Sequence, residues 1–208
     1  MKITKSGSYQ LQTNFAITNA NTTAILVTAD NVTIDLNGFA IIGPNVCSGV
    51  PLVCNNNGTG IGIDAWGKQN IKVYNGTIRG MGNVGIQTGG GSIIESVRVV
   101  SNGGYGINVN GSGTVSGNTV NDNGTVGIYV FGSSTVSGNA VTGNGHSGII
   151  LVYGTVSGNA VAGNGGDGIA LGASAGYFNN VLNNNTGGDV GGGVNLGHNL
   201  CTGVLCPP

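Results

Sequence analysis

A Gly-Ile dipeptide recurs along this chain at nearly constant spacing, and this repeat restricts the fold more than any other feature of the sequence. The pairs begin at Gly62, Gly85, Gly106, Gly127, Gly148 and Gly168, with spacings of 23, 21, 21, 21 and 20 residues. A second series, TVSGN at 114–118, 135–139 and 155–159, runs in phase with the first. Self-similarity at this period predicts that each repeat is one structural unit stacked on the next.

Within each repeat, apolar and polar residues alternate over short stretches, which is typical of a strand with one buried face. In one unit Ile107, Val109, Val115 and Val120 are predicted to point inward, and Asn and Gly mark the bends. A single unit cannot bury its apolar face, whereas stacked units close a continuous core. We therefore predict an all-β fold, a right-handed parallel β-helix (solenoid) of about seven rungs with three short strands per rung.

Two columns of asparagine support the stacked arrangement. The first contains Asn118, Asn139, Asn159 and Asn180, and the second contains Asn102, Asn123, Asn144, Asn164 and Asn185. In a parallel, in-register stack each side-chain amide lies within reach of the next one. Metal ligation is the alternative interpretation, but we assign the columns a structural role and predict no metal site and no cofactor.

The whole chain, 1–208, is predicted to form one β-helix domain. Residues 31–42 (NVTIDLNGFAII) are in phase with 70–81, so an inserted loop interrupts the stack between these two segments. The least periodic segments lie at the two ends, where a solenoid needs cover for its exposed core. The expected parts are an N-terminal cap at 1–20, a protruding disulfide loop at 44–58, and a C-terminal rung and cap at 177–208.

The four cysteines, Cys47, Cys54, Cys201 and Cys206, permit three disulfide pairings or a metal site. In a coil, the rungs of Cys54 and Cys201 are about six steps of ~4.8 Å apart, whereas a disulfide needs Cα atoms within about 7 Å. We therefore predict the local pairs Cys47–Cys54 and Cys201–Cys206, with zinc binding as the competing interpretation. Two disulfides indicate an oxidising compartment, so we expect an extracellular or cell-surface protein whose signal peptide has been removed.

The charge and hydropathy of the chain restrict its partners. Six Lys and Arg residues and a net charge of −1 provide no basic surface for nucleic acid or for an anionic membrane. No run of 18 apolar residues occurs, so no membrane-spanning helix is predicted. The partners that remain are a second copy of the chain and a polysaccharide.

The repeat pattern of the chain resembles that of a known group of proteins. The pattern GIxVxxxGTVSGNxVxxNGxxGI, preceded by VTIDLNGFAI, resembles the right-handed parallel β-helix repeat of the pectin-lyase-like superfamily, and NLGHNLCTGVLCP resembles the ending of a subgroup of exported bacterial proteins. The resemblance covers nearly the whole chain and implies the fold. It leaves the function open, because polysaccharide lyases, hydrolases, epimerases, phage tail proteins and adhesin stalks share this coil.

Several of the few charged residues gather on the early rungs together with one tyrosine, and these five residues are the candidates for catalysis. They are Asp35, Lys72, Tyr74, Glu95 and Arg98. A two-rung gap of about 9.6 Å between Asp35 and Glu95 falls near the upper limit for an inverting carboxylate pair, with Tyr74 or Arg98 as the candidate base of a lyase. Salt bridges on a solvated face explain the same residues without chemistry. The sequence also lacks the clustered aspartates of the superfamily's enzymes, so we favour a protein without catalysis.

An exposed apolar cluster is predicted further along the stack. Tyr129, Phe131, Ile150 and Val152 fall at outward positions on adjoining rungs, and Trp66 falls at the same outward phase on an earlier rung. Such a surface indicates an interface or a platform for sugar rings. Because Ile and Val do not stack on sugars, we favour self-association over carbohydrate contact, with cover by a loop or terminal segment as the third interpretation.

Hydroxyl residues form a regular outward array on three successive rungs. The members are Thr114 and Ser116, Thr135 and Ser137, and Thr155 and Ser157. Their spacing resembles the Thr arrays of ice-binding solenoids, although β-branched residues also suit ordinary exposed strands. The preferred function is therefore an exported, non-catalytic β-helix scaffold that self-associates and acts in surface attachment or glycan contact. A polysaccharide lyase or glycoside hydrolase, and an ice-binding solenoid, are the alternatives.

Overall fold

The computed structural model describes residues 1–206, and these residues form only strands, turns and bends. In chain order the strands of the first half are Lys2–Ile3 (β1), Gly7–Gln10 (β2), Phe15–Ala16 (β3), Ile25–Val27 (β4), Val32–Asp35 (β5), Ala40–Ile42 (β6), Cys47–Ser48 (β7), Val53–Cys54 (β8), Ile63–Ala65 (β9), Ile71–Arg79 (β10), Ile86–Thr88 (β11), Ser92–Val100 (β12) and Ile107–Val109 (β13). Those of the second half are Gly113–Ser116 (β14), Thr119–Asn121 (β15), Ile128–Ser137 (β16), Ala140–Thr142 (β17), Ile149–Ser157 (β18), Ala160–Ala162 (β19), Asp167–Leu171 (β20), Gly176–Phe178 (β21), Val181–Asn183 (β22), Gly188–Gly191 (β23), Val194–Asn195 (β24), Leu200–Cys201 (β25) and Val204–Leu205 (β26).

Each turn of the chain contributes one strand to each of three parallel sheets that surround the core. Sheet A contains β1, β4, β9, β11, β13, the first parts of β16 and β18, β20 and β23. Sheet B contains β2, β5, the first parts of β10 and β12, β14, the last parts of β16 and β18, β21 and β24. Sheet C contains β3, β6, the last parts of β10 and β12, β15, β17, β19, β22 and β25. The predicted parallel solenoid with three strands per turn is confirmed.

The isoleucines of the Gly-Ile repeat are successive partners in sheet A. Ile63 pairs with Ile86, and the register continues without a slip through Ile107, Ile128, Ile149 and Ile169. The stack has about ten turns, more than the seven expected. The terminal turns carry other residues where the repeat has Gly-Ile: Ala24-Ile25 stands above Ile63, and Asp189-Val190 lies below Ile169. A count of the dipeptide therefore misses these turns.

Glycine precedes each repeat isoleucine because no side chain fits at that point. Ile107, Val115 and Val120 are completely buried, as their phase predicted. A Cβ on Gly106 would lie 2.6 Å from Cγ1 of Val120 and 2.8 Å from Nδ2 of Asn123. Contacts under 3.0 Å do not occur in relaxed packing. The glycine of each repeat therefore marks a position where the backbone lies against core side chains.

Both asparagine columns form continuous hydrogen-bonded ladders at two corners of the coil. Nδ2 of Asn118 donates to Oδ1 of Asn139 at 3.0 Å and to the carbonyl of Ile94 at 2.9 Å. The residue before each ladder asparagine turns the corner in the left-handed conformation, as Gly117 does with φ 64°. The first ladder also contains Asn199, which the sequence analysis missed because its LGHNL context lacks the TVSGN pattern.

Both predicted disulfides are present, Cys47–Cys54 and Cys201–Cys206. Only part of the loop expected to protrude at 44–58 projects into solvent. Its tip at Val50 is fully exposed, whereas its base lies against the flank of the stack, where Nδ2 of the buried Asn45 donates to the carbonyl of Ser101 at 3.3 Å. At the other end of the molecule, β26 runs antiparallel to β25. Residues 207–208 of the expected C-terminal cap lie outside the described residues.

Thr88 is a polar side chain in the core, and its removal is expected to stabilise the protein. Its side chain is completely buried in sheet A between Ala65 and Val109, and within residues 1–206 its Oγ1 has no hydrogen-bond partner. Thr88→Val keeps the shape and removes an unpaired buried hydroxyl, so the free energy of unfolding should rise by about 1 kcal/mol. Urea denaturation measures this, with the exposed Thr119→Val as the control expected to change little. A less stable Thr88→Val protein would contradict the prediction.

Candidate functional site

The structure brings together four of the five charged-cluster candidates. Tyr74 lies on sheet B between Asp35 on the turn before and Glu95 on the turn after. Nζ of Lys72 lies 2.7 Å from Oε1 of Glu95 and 5.1 Å from the centroid of the Tyr74 ring. Arg98 is separated from them by a corner and lies on sheet C, with no salt bridge to any residue in 1–206. The group is therefore an ion pair packed on an aromatic ring, with a second carboxylate beside it.

The hydrogen bonds in this cluster favour the ionised form of Asp35 and the protonated form of Lys72. The backbone N–H of Asn37 and the side chains of Gln10 and Asn75 donate to Asp35 and lower the pKa of its carboxyl group, with the Asn37 bond as the main cause. A general acid at neutral pH needs a raised pKa instead. The hydrogen bond to Glu95 raises the pKa of Lys72, which keeps the amine protonated and unable to accept a proton.

Asp35 is expected to titrate below the ordinary carboxyl value of 3.8. Because its pKa is lower in the folded protein, its hydrogen bonds stabilise the fold above pH 3.8 and lose that contribution as the pH falls. Carboxyl carbon shifts followed by NMR between pH 6 and about pH 2 measure the midpoint. Asn75→Ala removes one donor and should move the midpoint upward. A midpoint at or above 3.8 in the native protein would contradict the prediction.

Four of the five residues of the predicted apolar cluster lie together on sheet A. Tyr129 and Ile150 are direct partners on adjoining turns, and each lies two residues before the outward Phe131 and Val152. Trp66 is about three turns of 4.8 Å away along the axis, so it is not in contact with Phe131. The side chains of Trp66 and Phe131 are 51% and 52% exposed.

Two further aromatic residues belong to this surface, and the sequence analysis missed both. The Tyr105 ring packs on Tyr129 with centroids 5.7 Å apart. Tyr153, 51% exposed, pairs with Ser133 because the register shifts between Val130 and Ser133. The shift in register could have been found from the sequence. Ile128 and Thr135 are seven residues apart, whereas the equivalent Ile149 and Thr155 are only six residues apart. We call Trp66, Tyr105, Tyr129, Phe131 and Tyr153 the aromatic face.

Between Trp66 and Tyr129 the outward column of sheet A is polar. Asp64, Gln87, Asn108 and Tyr129 are successive partners, and Nε2 of Gln87 donates to Oδ1 of Asp64 at 2.8 Å. Oδ1 of Asn108 is buried and has no hydrogen-bond partner within the described residues. The aromatic face is thus interleaved with amide and carboxylate groups rather than being uniformly apolar.

A shallow groove of about 610 Å³ lies beside the aromatic face, where sheet A turns into sheet B. We call it the hydroxyl groove, and its lining residues come from four turns: Gly91, Ser92, Ile93, Ser112, Gly113, Thr114, Ser133, Ser134, Thr135, Gly154 and Thr155. Phe131 and Tyr153 lie at its rim: Tyr153 pairs with the lining residue Ser133, and Phe131 lies two residues before Ser133 in the chain. No charged residue lines the groove, so it offers hydroxyls and peptide groups for hydrogen bonding and aromatic rings for packing.

The outward hydroxyl array occurs where the sequence placed it, in register on sheet B. Its partners on the turn before are Ile93 and Glu95, and its partners on the turn after are Gly176 and Phe178. The array therefore covers three turns and ends abruptly on both sides. Part of it, Thr114, Thr135 and Thr155, also lines the hydroxyl groove.

Neither a metal site nor a membrane helix is found in the part of the chain that the structure describes. Within residues 1–206, no three His, Cys, Asp or Glu side chains lie close enough together to hold a metal ion. Over the same residues, no helix has the length and apolar character that crossing a bilayer requires. The cysteines are all disulfide-bonded.

Three parallel sheets coiled around one core define the chain as a parallel β-solenoid protein. A family model described as the right handed beta helix region matches residues 2–152 and, in a second overlapping alignment, residues 61–201. The chain belongs to this right-handed β-helix family, which confirms the predicted hand and the resemblance to the superfamily repeat. No curated protein and no solved structure matches the chain.

Proposed function

We propose that this protein is an exported, non-catalytic β-helix scaffold that contacts glycans through its aromatic face. The observation that carries the proposal is the position of Phe131 and Tyr153, each about half exposed, on adjoining turns at the rim of the hydroxyl groove. Exposed aromatic rings supply rigid apolar surface at low entropic cost, and neighbouring hydroxyls supply hydrogen bonds. Sugars require both, because a pyranose ring has apolar faces and a polar edge.

The remaining features support a binding role outside the cytosol. Two disulfides and no free cysteine within residues 1–206 are typical of proteins that mature in an oxidising compartment. Glu95, one of the two carboxylates of the candidate catalytic pair, forms an ion pair with Lys72. The rigid coil places the aromatic rings at fixed spacing, which favours binding without rearrangement.

Affinity electrophoresis of the full chain through gels containing polysaccharides tests the proposal. We expect retardation by at least one polymer in a panel of neutral and acidic glycans. The double variant Phe131→Ala with Tyr153→Ala should lose about tenfold or more in affinity, because each ring contributes about 1 kcal/mol. Val181→Ala is the matched control, since Val181 is 52% exposed on sheet C. Equal retardation of the double variant and the native protein, or none in any gel, would refute the proposal.

Self-association through the same face is the second candidate function. Ile150 and Val152 add partly exposed aliphatic surface beside Tyr129, and contiguous exposed apolar surface is typical of protein interfaces. We expect light scattering to show a mass that rises with protein concentration and falls to that of the monomer in Tyr129→Asp with Ile150→Asp. A mass that is the same in both proteins at every concentration would remove this candidate.

A further inference from the structure

We infer that the glycan is an uncharged, extended polymer that lies in the hydroxyl groove parallel to the coil axis, with one sugar residue per turn. The inference rests on the proposed glycan-binding function and adds the charge class, direction and register of the ligand. It is carried by three independent observations. These are the distribution of charge along the chain, the repeat distance of the lining residues, and the aromatic residues at the rim.

Charge is segregated along the molecule. All six Lys and Arg residues lie at or before position 98, whereas the groove is centred on the turns from 112 to 155. The basic side chain on the nearest turn of sheet B, Lys72, is bound to Glu95. A uronate or sulfated polymer would carry a negative charge on successive sugars and find no cation among the lining residues. A neutral polymer meets no such penalty.

The lining residues repeat at the spacing of the strands. Ser133 pairs with Tyr153 and Ser134 with Gly154 on the next turn, and adjacent turns are about 4.8 Å apart. An extended polysaccharide advances by a similar distance for each sugar residue. In a polysaccharide parallel to the axis, each sugar residue therefore meets the same set of lining groups on its own turn. The four lining turns accommodate about four sugars.

The rim explains how such a chain would be held. Phe131 and Tyr153 lie on adjoining turns and are offset along the strand, because Tyr153 pairs with Ser133, so the two rings can pack on different sugars of the chain. Ser112, Ser133 and Thr135 present exposed hydroxyls on the lining turns. Hydrogen bonds from these hydroxyls and packing on the two rings together use both the polar edge and the apolar face of each sugar.

Calorimetric titration of the full chain with length-matched oligosaccharides tests the inference. The probes are neutral gluco-, xylo- and manno-oligosaccharides and uronate oligosaccharides of about two to six units. We expect affinity for a neutral series to rise with length to about four units and then level off, with the uronate series at least about tenfold weaker. Binding of uronates alone, lost with Phe131→Ala and Tyr153→Ala, would overturn the neutral ligand but keep the proposed function. Binding by no series, with no retardation in the gels, would overturn both.

A substitution within the groove tests its location independently of the aromatic rings. Thr135→Arg places a long charged side chain on an exposed groove position and should weaken binding of the neutral four-unit sugar by about tenfold or more. Thr4→Arg, the same change at an exposed position in the first turn, is the control expected to bind normally. Native affinity in Thr135→Arg would overturn the assignment of the groove, and so would equal affinity for one sugar and for four in the native protein.

Discussion

Replacing Gly127 with valine is expected to lower the free energy of unfolding by about 3 kcal/mol or more. A Cβ at this position would lie 2.7 Å from Cγ1 of Val141, 2.7 Å from Nδ2 of Asn144 and 2.7 Å from the carbonyl oxygen of Gly148. Two of these atoms belong to the core and to an asparagine ladder, and the third is backbone, so none can retreat without breaking its own contacts. Urea denaturation followed by circular dichroism measures the loss.

Gly138 provides the matched control for this substitution. It turns a corner with φ 63°, and an added Cβ would meet nothing closer than 3.9 Å. Asn179 turns the equivalent corner two turns further along with φ 56°, so Gly138→Asn should be tolerated with little change in stability. If both variants lose similar stability, the explanation of the Gly-Ile repeat by close packing is wrong.

Removing one rung of an asparagine ladder is the second substitution with a large expected effect. Oδ1 of Asn139 accepts from the backbone N–H and from Nδ2 of Asn118, at 2.9 and 3.0 Å. Its Nδ2 donates to the carbonyl of Val115 and to Oδ1 of Asn159, both at 3.0 Å. Asn139→Ala removes these four buried hydrogen bonds and takes the side-chain acceptor from the backbone N–H of Asn118, so it should cost about 3 kcal/mol or more at about 1 kcal/mol for each bond.

An exposed asparagine distinguishes the ladder from a general effect of residue type. Asn183 lies on an outward position of sheet C, so Asn183→Ala should leave the midpoint of denaturation nearly unchanged. Hydrogen exchange adds a local measurement, because the backbone N–H of Asn118 should exchange faster in Asn139→Ala. Unchanged protection of that amide would mean that the ladder bond does not hold the corner.

Much of the fold was predictable because each turn repeats the same local requirements. The inward valines and isoleucines, the glycine before each isoleucine and the ladder asparagines occupy equivalent positions in successive turns, so any one turn indicates the register of the others. Both disulfides followed from this register, since cysteines about six turns apart in a coil cannot meet and only the two local pairs remain. The number of turns was underestimated because Ala24-Ile25 and Asp189-Val190 form the same strand with different residues.

The candidate site was less predictable than the fold. The sequence offered salt bridges as one explanation of the charged cluster, yet it did not reveal which residues pair, and the structure joins Lys72 to Glu95 across one turn. It also did not place Tyr105 or Tyr153 on the aromatic face, because Tyr153 reaches the rim through a shift in register. Such contacts depend on side-chain direction and on the geometry of the corners, and the repeat period determines neither of these.

The sequence by itself determined that this chain is a coil of parallel strands, which columns face inward, and which cysteines pair. It could do so because these properties depend only on residues in phase with one another. The tertiary structure decided which outward columns meet at a corner, that the base of the disulfide loop at 44–58 lies against the flank, and that a groove runs beside Phe131 and Tyr153. These features join neighbouring sheets and distant segments, so they exist only once the turns have stacked.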